Sequence, residues 1–167
     1  SNLHSFMLRL ATKGHDKIAN YFAFVRWWDL SNLQPEDFEP YRPEHSDRSF
    51  SSLVEQLITS LYREAKKREN PEESAWIAEF IEKNYRRYSH QEWFPYYLGK
   101  LLIWAKRPGE ARELVLPIVR INQKSFWPWD VLADTYVPDR QDLAIACLCR
   151  ALLCPAEEGY LVKVRLK

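Results

Sequence analysis

The chain has 167 residues, 24 basic against 23 acidic side chains for a net charge of +1, 14% aromatics and only four glycines. That composition excludes a linker or a disordered tail, and a length of this order buries about 70% of the unfolded surface without disulfides or metals. A charge so near zero names no nucleic-acid, membrane or acidic partner.

The elements are helical from the start. Leu3, Phe6, Met7 and Leu10 recur at helical spacing until Gly14 breaks the pattern, and Ile18, Phe22, Val25 and Trp28 form a second stripe with Asp16 as its expected N-cap. Residues 31–49 are polar and carry Pro35, Pro40 and Pro43, which predicts a long connection, either a functional crossover or a loop pinned by Leu33, Phe38 and Tyr41. A helix is expected from about Phe50 to Arg68, with Leu53, Leu57, Leu61 and Ala65 on its buried face.

Asn70-Pro71-Glu72-Glu73 reads as an N-cap, a proline at the first helical position and two carboxylates at the positive end of the helix dipole. The helix it opens runs through Trp76, Ile77, Phe80, Ile81 and Tyr85. Ser89-His90-Gln91-Glu92 has the pattern of a capping box, with Tyr88 and Trp93 as its hydrophobic staple. Pro117 falls inside a helix that starts near Gly109 and is expected to kink it. Asp139 and Asp142 open a later helix, and 160–167 alternates in a way that fits a short strand or a truncated helix.

No apolar run approaches the ~20 residues of a membrane helix, and Leu3 to Leu10 is interrupted by His4, Ser5 and Arg9, unlike a secretory leader. Cys147, Cys149 and Cys154 are odd in number and clustered, which argues for a reducing, cytoplasmic setting. They lack a fourth ligand for zinc, so no metal is expected, and Cys147 and Cys154 are read as small hydrophobes on one helix face. The opening Ser1-Asn2 and the patterned last residues are read as marks of a piece of a longer protein.

Self-comparison shows a period. Trp93 returns as Trp127, Leu98 as Leu132, Gly99 as Ala133 and Leu102 as Tyr136, each 34 residues on, while Ala111, Val115 and Ile118 return 33 residues on as Ala144, Leu148 and Ala151. Small residues at 99, 111, 133 and 144 let paired helices approach closely. With Pro155 closing the second copy, the pattern resembles the tetratricopeptide repeat, a helix-turn-helix unit. The clearest copies are 91–122 and 125–155. The resemblance implies an all-α fold over 3–167, a segment of α-solenoid built from antiparallel helix pairs, about seven helices in all. A second resemblance rests on Trp27-Trp28-Asp29-Leu30 and Pro35-Glu36-Asp37-Phe38-Glu39-Pro40. This block is similar to one in uncharacterised bacterial proteins, some assigned to conflict or defence systems acting on nucleic acid.

Tetratricopeptide repeats hold peptides or proteins on the concave face lined by first helices, and the resemblance places Trp93, Tyr96, Lys100, Ile103, Trp104, Trp127, Asp130 and Asp134 there. Burial competes with that role for Trp93 and Trp127, because tryptophan is mostly buried on average. Tyr96, Lys100, Asp130 and Asp134 are polar where packing does not demand it, which favours them as groove residues. Lys83, Arg86 and Arg87, interleaved with tyrosines, offer an alternative contact with nucleic acid; the competing reading is a helix end whose cations complement the dipole. No phosphate loop, His-Glu-x-x-His or Gly-x-Ser-x-Gly is present, and the four histidines are scattered. The expectation is a non-enzymatic interaction module with no cofactor.

Overall fold

The computed structural model describes residues 2–41, 49–85 and 93–167. The described residues form nine α-helices and three short 3-10 helices, with a single antiparallel bridge, Tyr41 to Phe50, and no strand. Among the described residues, nine helices stand where about seven were expected. None of the described helices is long and apolar enough to cross a membrane. The chain divides into two compact units, Ser1–Glu69 and Asn70–Lys167.

The first unit contains α1 (Asn2–Lys13), α2 (Tyr21–Trp27) and α3 (Leu53–Arg68), with α3 packed against both of the others. Ser52 and Glu55 start α3 with a capping box. The Ser52 hydroxyl accepts from the Glu55 N–H at 3.1 Å, and the Glu55 carboxylate accepts from the Ser52 N–H at 2.6 Å. The helix therefore begins at Leu53 rather than Phe50, whose backbone is engaged with Tyr41. Leu53, Leu57, Leu61 and Ala65 are buried as expected, but Val54, Ile58 and Tyr62 widen the buried arc well beyond one stripe.

Two expectations change here. The cap of α2 is Asn20, whose side chain accepts from the Ala23 N–H at 3.1 Å; Asp16 instead lies in a 3-10 turn, His15–Lys17. The stripe Leu3, Phe6, Met7 and Leu10 faces solvent, and α1 turns Leu8 and Thr12 inward instead. Between α2 and α3 the chain makes two 3-10 turns, Leu30–Asn32 and Pro35–Phe38, before the Tyr41–Phe50 bridge.

The second unit contains α4 (Pro71–Tyr85), α5 (Trp93–Trp104), α6 (Pro108–Ile121), α7 (Phe126–Tyr136), α8 (Gln141–Leu152) and α9 (Glu158–Arg165). Asn70 caps α4 as its sequence predicts, accepting from the Glu72 and Glu73 N–H groups at 3.0 Å each. The expected capping box at 89–92 and its staple partner Tyr88 lie outside the described residues. Each helix from α4 to α9 contacts the next in the chain, and α5 also touches α7. Gly99 makes that last approach close: a Cβ there would lie 2.9 Å from Val131 Cγ1 and 3.4 Å from Val115 Cγ2. Ala111, Ala133 and Ala144, the other small residues of the period, are also buried. Val115, Val119, Trp127, Val131, Leu132, Ala133 and Cys147 form the core between α6, α7 and α8.

The turn after α5 closes with the Arg107 N–H on the Leu102 carbonyl at 2.8 Å, and Lys106 takes the left-handed conformation, φ 62°, that glycine more often fills. α6 continues through exposed Pro117 to Ile121. The alternating tail is helix α9, which buries Leu161 and Val164 three residues apart. Cys147 is buried within α8, but Cys154 lies past the end of that helix, so the two do not share a helix face. Cys154 is buried all the same, its thiol donating to the Arg150 carbonyl at 3.4 Å and the Gln123 carbonyl at 3.5 Å.

Candidate interaction surface

Helices α5 and α7 bring together most of the residues expected on the concave face, but chiefly against one another. The Lys100 ammonium donates to Asp130 Oδ2 at 2.8 Å and to Asp134 Oδ2 at 2.5 Å. From beyond α9, Lys167 Nζ reaches Asp130 Oδ1 at 2.6 Å and Asp134 Oδ1 at 2.7 Å. Two lysines and two aspartates thus tie α5, α7 and the end of the chain into one neutral network.

Lys100 and Asp130 are buried, and Asp134 is half-buried. Burial alone would push the Asp130 carboxyl up, but the Lys100 and Lys167 ammonium groups outweigh it and hold it below the usual carboxylate range. Burial likewise works against the Lys100 charge, yet Asp130 and Asp134 raise its affinity for the proton above that of an ordinary lysine. The expectation that Lys100 and Asp130 lie open to a ligand is therefore corrected. Their charge is spent on one another because an unpaired charge cannot be left in the interior.

The aromatic residues divide. Trp127 is core, edge-on to Tyr96 with ring centroids 5.9 Å apart. Trp93, one turn before Tyr96, meets the same ring edge-on at 6.0 Å and keeps 48% of its surface exposed. The Lys100 ammonium sits 5.7 Å from the Tyr96 centroid. Ile103 and Trp104 are partly buried near the end of α5. The face left to solvent thus consists of Trp93 with parts of Tyr96, Trp104 and Asp134. Lys167 was missing from the expected set; no local motif marks it, because its partners lie 33 and 37 residues earlier.

Beside the network, α7 and α8 enclose an apolar hollow of about 410 Å³, with Val137, Ile145 and Leu148 in its walls and Asp134 and Lys167 at its edge. For the alternative contact, Lys83 is exposed near the end of α4, while Arg86 and Arg87 lie outside the described residues. Among the described residues, no group of three or more His, Cys, Asp and Glu side chains is placed to hold a metal ion. A histidine–carboxylate pair does occur in the first unit, with His15 Nδ1 2.9 Å from Glu64 Oε1, but Glu64 also accepts from Lys67 at 2.6 Å.

A family described as a domain of unknown function (DUF7017) has a model that matches residues 92–167, the stretch that contains α5 to α9. No curated protein and no solved structure matches the chain.

Proposed function

We propose that the chain is a non-enzymatic interaction module, with residues 93–167 forming tetratricopeptide-like helix pairs that hold a peptide or protein segment on the α5/α7 face. Sequential packing of α5 through α9, with α5 also against α7, supports the helix-pair reading. The observation that carries the binding role is Trp93. A large aromatic side chain, half open to water and braced edge-on by Tyr96, is the kind of rigid anchor that dominates protein interfaces. The ion network beneath fixes the platform without adding net charge, so selectivity on this reading comes from shape and apolar contact. Scaffolding inside the cytoplasm is the role such a module fits.

Because Lys100 is buried, its substitution would perturb folding and could not report on binding. Trp93→Ala is the informative variant. In nuclease-treated lysate of the source cells, the wild-type chain should retain a protein in a salt-tolerant manner, and Trp93→Ala should lose most of it while keeping its helical circular dichroism. Equal retention by a folded Trp93→Ala variant would remove the α5/α7 face from consideration.

A further inference from the structure

The first unit carries a different kind of surface. Two adjoining hollows, about 580 and 290 Å³, lie against α1 and α3 and share Lys13, Ser51 and Gln56 in their walls. The larger falls within the range of small-molecule sites, about 300–1,000 Å³, and the smaller lies at its lower edge. Arg9 and Lys13, one helical turn apart on α1, line the first, and Lys13 with Arg63 of α3 lines the second.

None of these three cations has a carboxylate partner among the described residues. α1 contains no acidic residue. The two carboxylates of α3 are already engaged, Glu55 in the cap with Ser52 and Glu64 with His15 and Lys67. Like charges gathered around two adjoining hollows repel, and an anion seated beside Lys13, where the two meet, would offset that cost.

The wall of the larger hollow supplies a second observation. Tyr41 and Phe50 are directly opposed, exchanging both backbone hydrogen bonds at 3.0 and 2.8 Å, so their side chains project to the same side. Their rings lie 6.5 Å apart at 32°, with Tyr41 60% and Phe50 52% exposed. A bridged backbone holds both exposed rings in place in the wall of the hollow, which is a geometry for receiving a flat, apolar face. Cations and aromatics lining one hollow match the two halves of one ligand class.

We propose that this cleft binds a nucleotide unit, with the phosphate between Arg9, Lys13 and Arg63 and the base against Tyr41 and Phe50. A free mononucleotide and the end of a single strand share that chemistry. The site is separate from the α5/α7 face, and its success or failure is independent of the interaction reading.

The test uses the full chain at low ionic strength, with a short fluorescein-labelled oligothymidylate followed by anisotropy, and with AMP and inorganic phosphate as competitors. Lys13 and Arg63 are exposed, so Lys13→Glu and Arg63→Glu are expected to fold. Each should weaken oligonucleotide and AMP binding by about tenfold. Tyr41→Ala should weaken AMP by about tenfold while leaving phosphate unchanged. Arg120→Glu on α6 should bind as wild type. Displacement of the oligonucleotide by AMP identifies the free nucleotide as a ligand, and oligonucleotide binding that AMP does not displace identifies the strand; either supports the cleft if Lys13→Glu weakens it by about tenfold. The proposal is overturned if the wild type binds neither probe, if Lys13→Glu binds normally, or if phosphate competes as well as AMP.

Discussion

Gly99 and Asp130 show what single residues contribute in the second unit. Adding a methyl group at Gly99 places it within 2.9 Å of a Val131 methyl, and valine has little rotamer freedom with which to yield. Overpacking of this kind costs about 1–3 kcal/mol, against roughly 1 kcal/mol gained from the better helix propensity of alanine. Gly99→Ala should therefore lower stability by about 1 kcal/mol in urea denaturation, with Val131→Ala in the same chain relieving part of the clash. An unchanged or raised midpoint for Gly99→Ala would show that α5 and α7 have room to spare.

Asp130 makes a pH-dependent contribution whose sign follows from its surroundings. Its carboxyl stays ionised to lower pH in the folded protein than in the unfolded chain, because the two lysines outweigh the effect of burial. Such a group stabilises the fold fully above the unfolded carboxylate pKa, about 3.9, and the contribution is lost as pH falls through the lower folded value. Asp130→Asn should cost about 2–3 kcal/mol at neutral pH, since it leaves Lys100 buried with only Asp134 as a charged partner. The gap between wild type and variant should then narrow below about pH 4. A gap that stays constant down to about pH 2 would mean that the Asp130 charge does not support the fold.

At the level of elements, caps decide where helices begin. Asn70 satisfies two otherwise unpaired N–H groups of α4, and Pro71 follows at a position where its missing donor does no harm. Asn70→Ala should cost about 1 kcal/mol, and Asn70→Asp should restore most of that, both read from thermal unfolding. Full stability in the alanine variant would mean that packing alone holds the first turn of α4. The same logic explains α2: periodicity finds the helix, but Asn20 sits immediately before its first turn, whereas Asp16 is committed to the 3-10 turn ahead.

At the scale of the whole molecule, the two units differ in how they are held. The second has its own core between α6, α7 and α8 and an ion network that links α5 and α7 to the chain end. Residues 70–167 expressed alone should accordingly fold, unfold in one cooperative transition and show a stability of about 5 kcal/mol. A broad, non-cooperative melt would overturn the division at residue 69. The first unit leaves Leu3, Phe6, Met7 and Leu10 of α1 in contact with water while it buries α3 over a broad arc.

What the sequence by itself determined was set by neighbours along the chain. The 3.6-residue periodicity gave the helical class, the Asn70-Pro71 cap gave the start of α4, and the small residues at 99, 111, 133 and 144 marked where helices meet; all four are buried. Each depends on residues within a few turns, or on a spacing that repeats, and both are visible in a linear string. Only the tertiary structure decided which polar residues are interior. Lys100 and Asp130 read as surface because charged side chains are seldom buried, and they become core only once α5, α7 and Lys167 converge across 30 to 37 residues of chain. The exposure of α1's apolar stripe and the gathering of Arg9 and Lys13 beside Tyr41 and Phe50 are of the same kind. Pairing between distant side chains leaves no periodic trace, and it is geometry that settles whether a charge meets its opposite or is left free for a ligand.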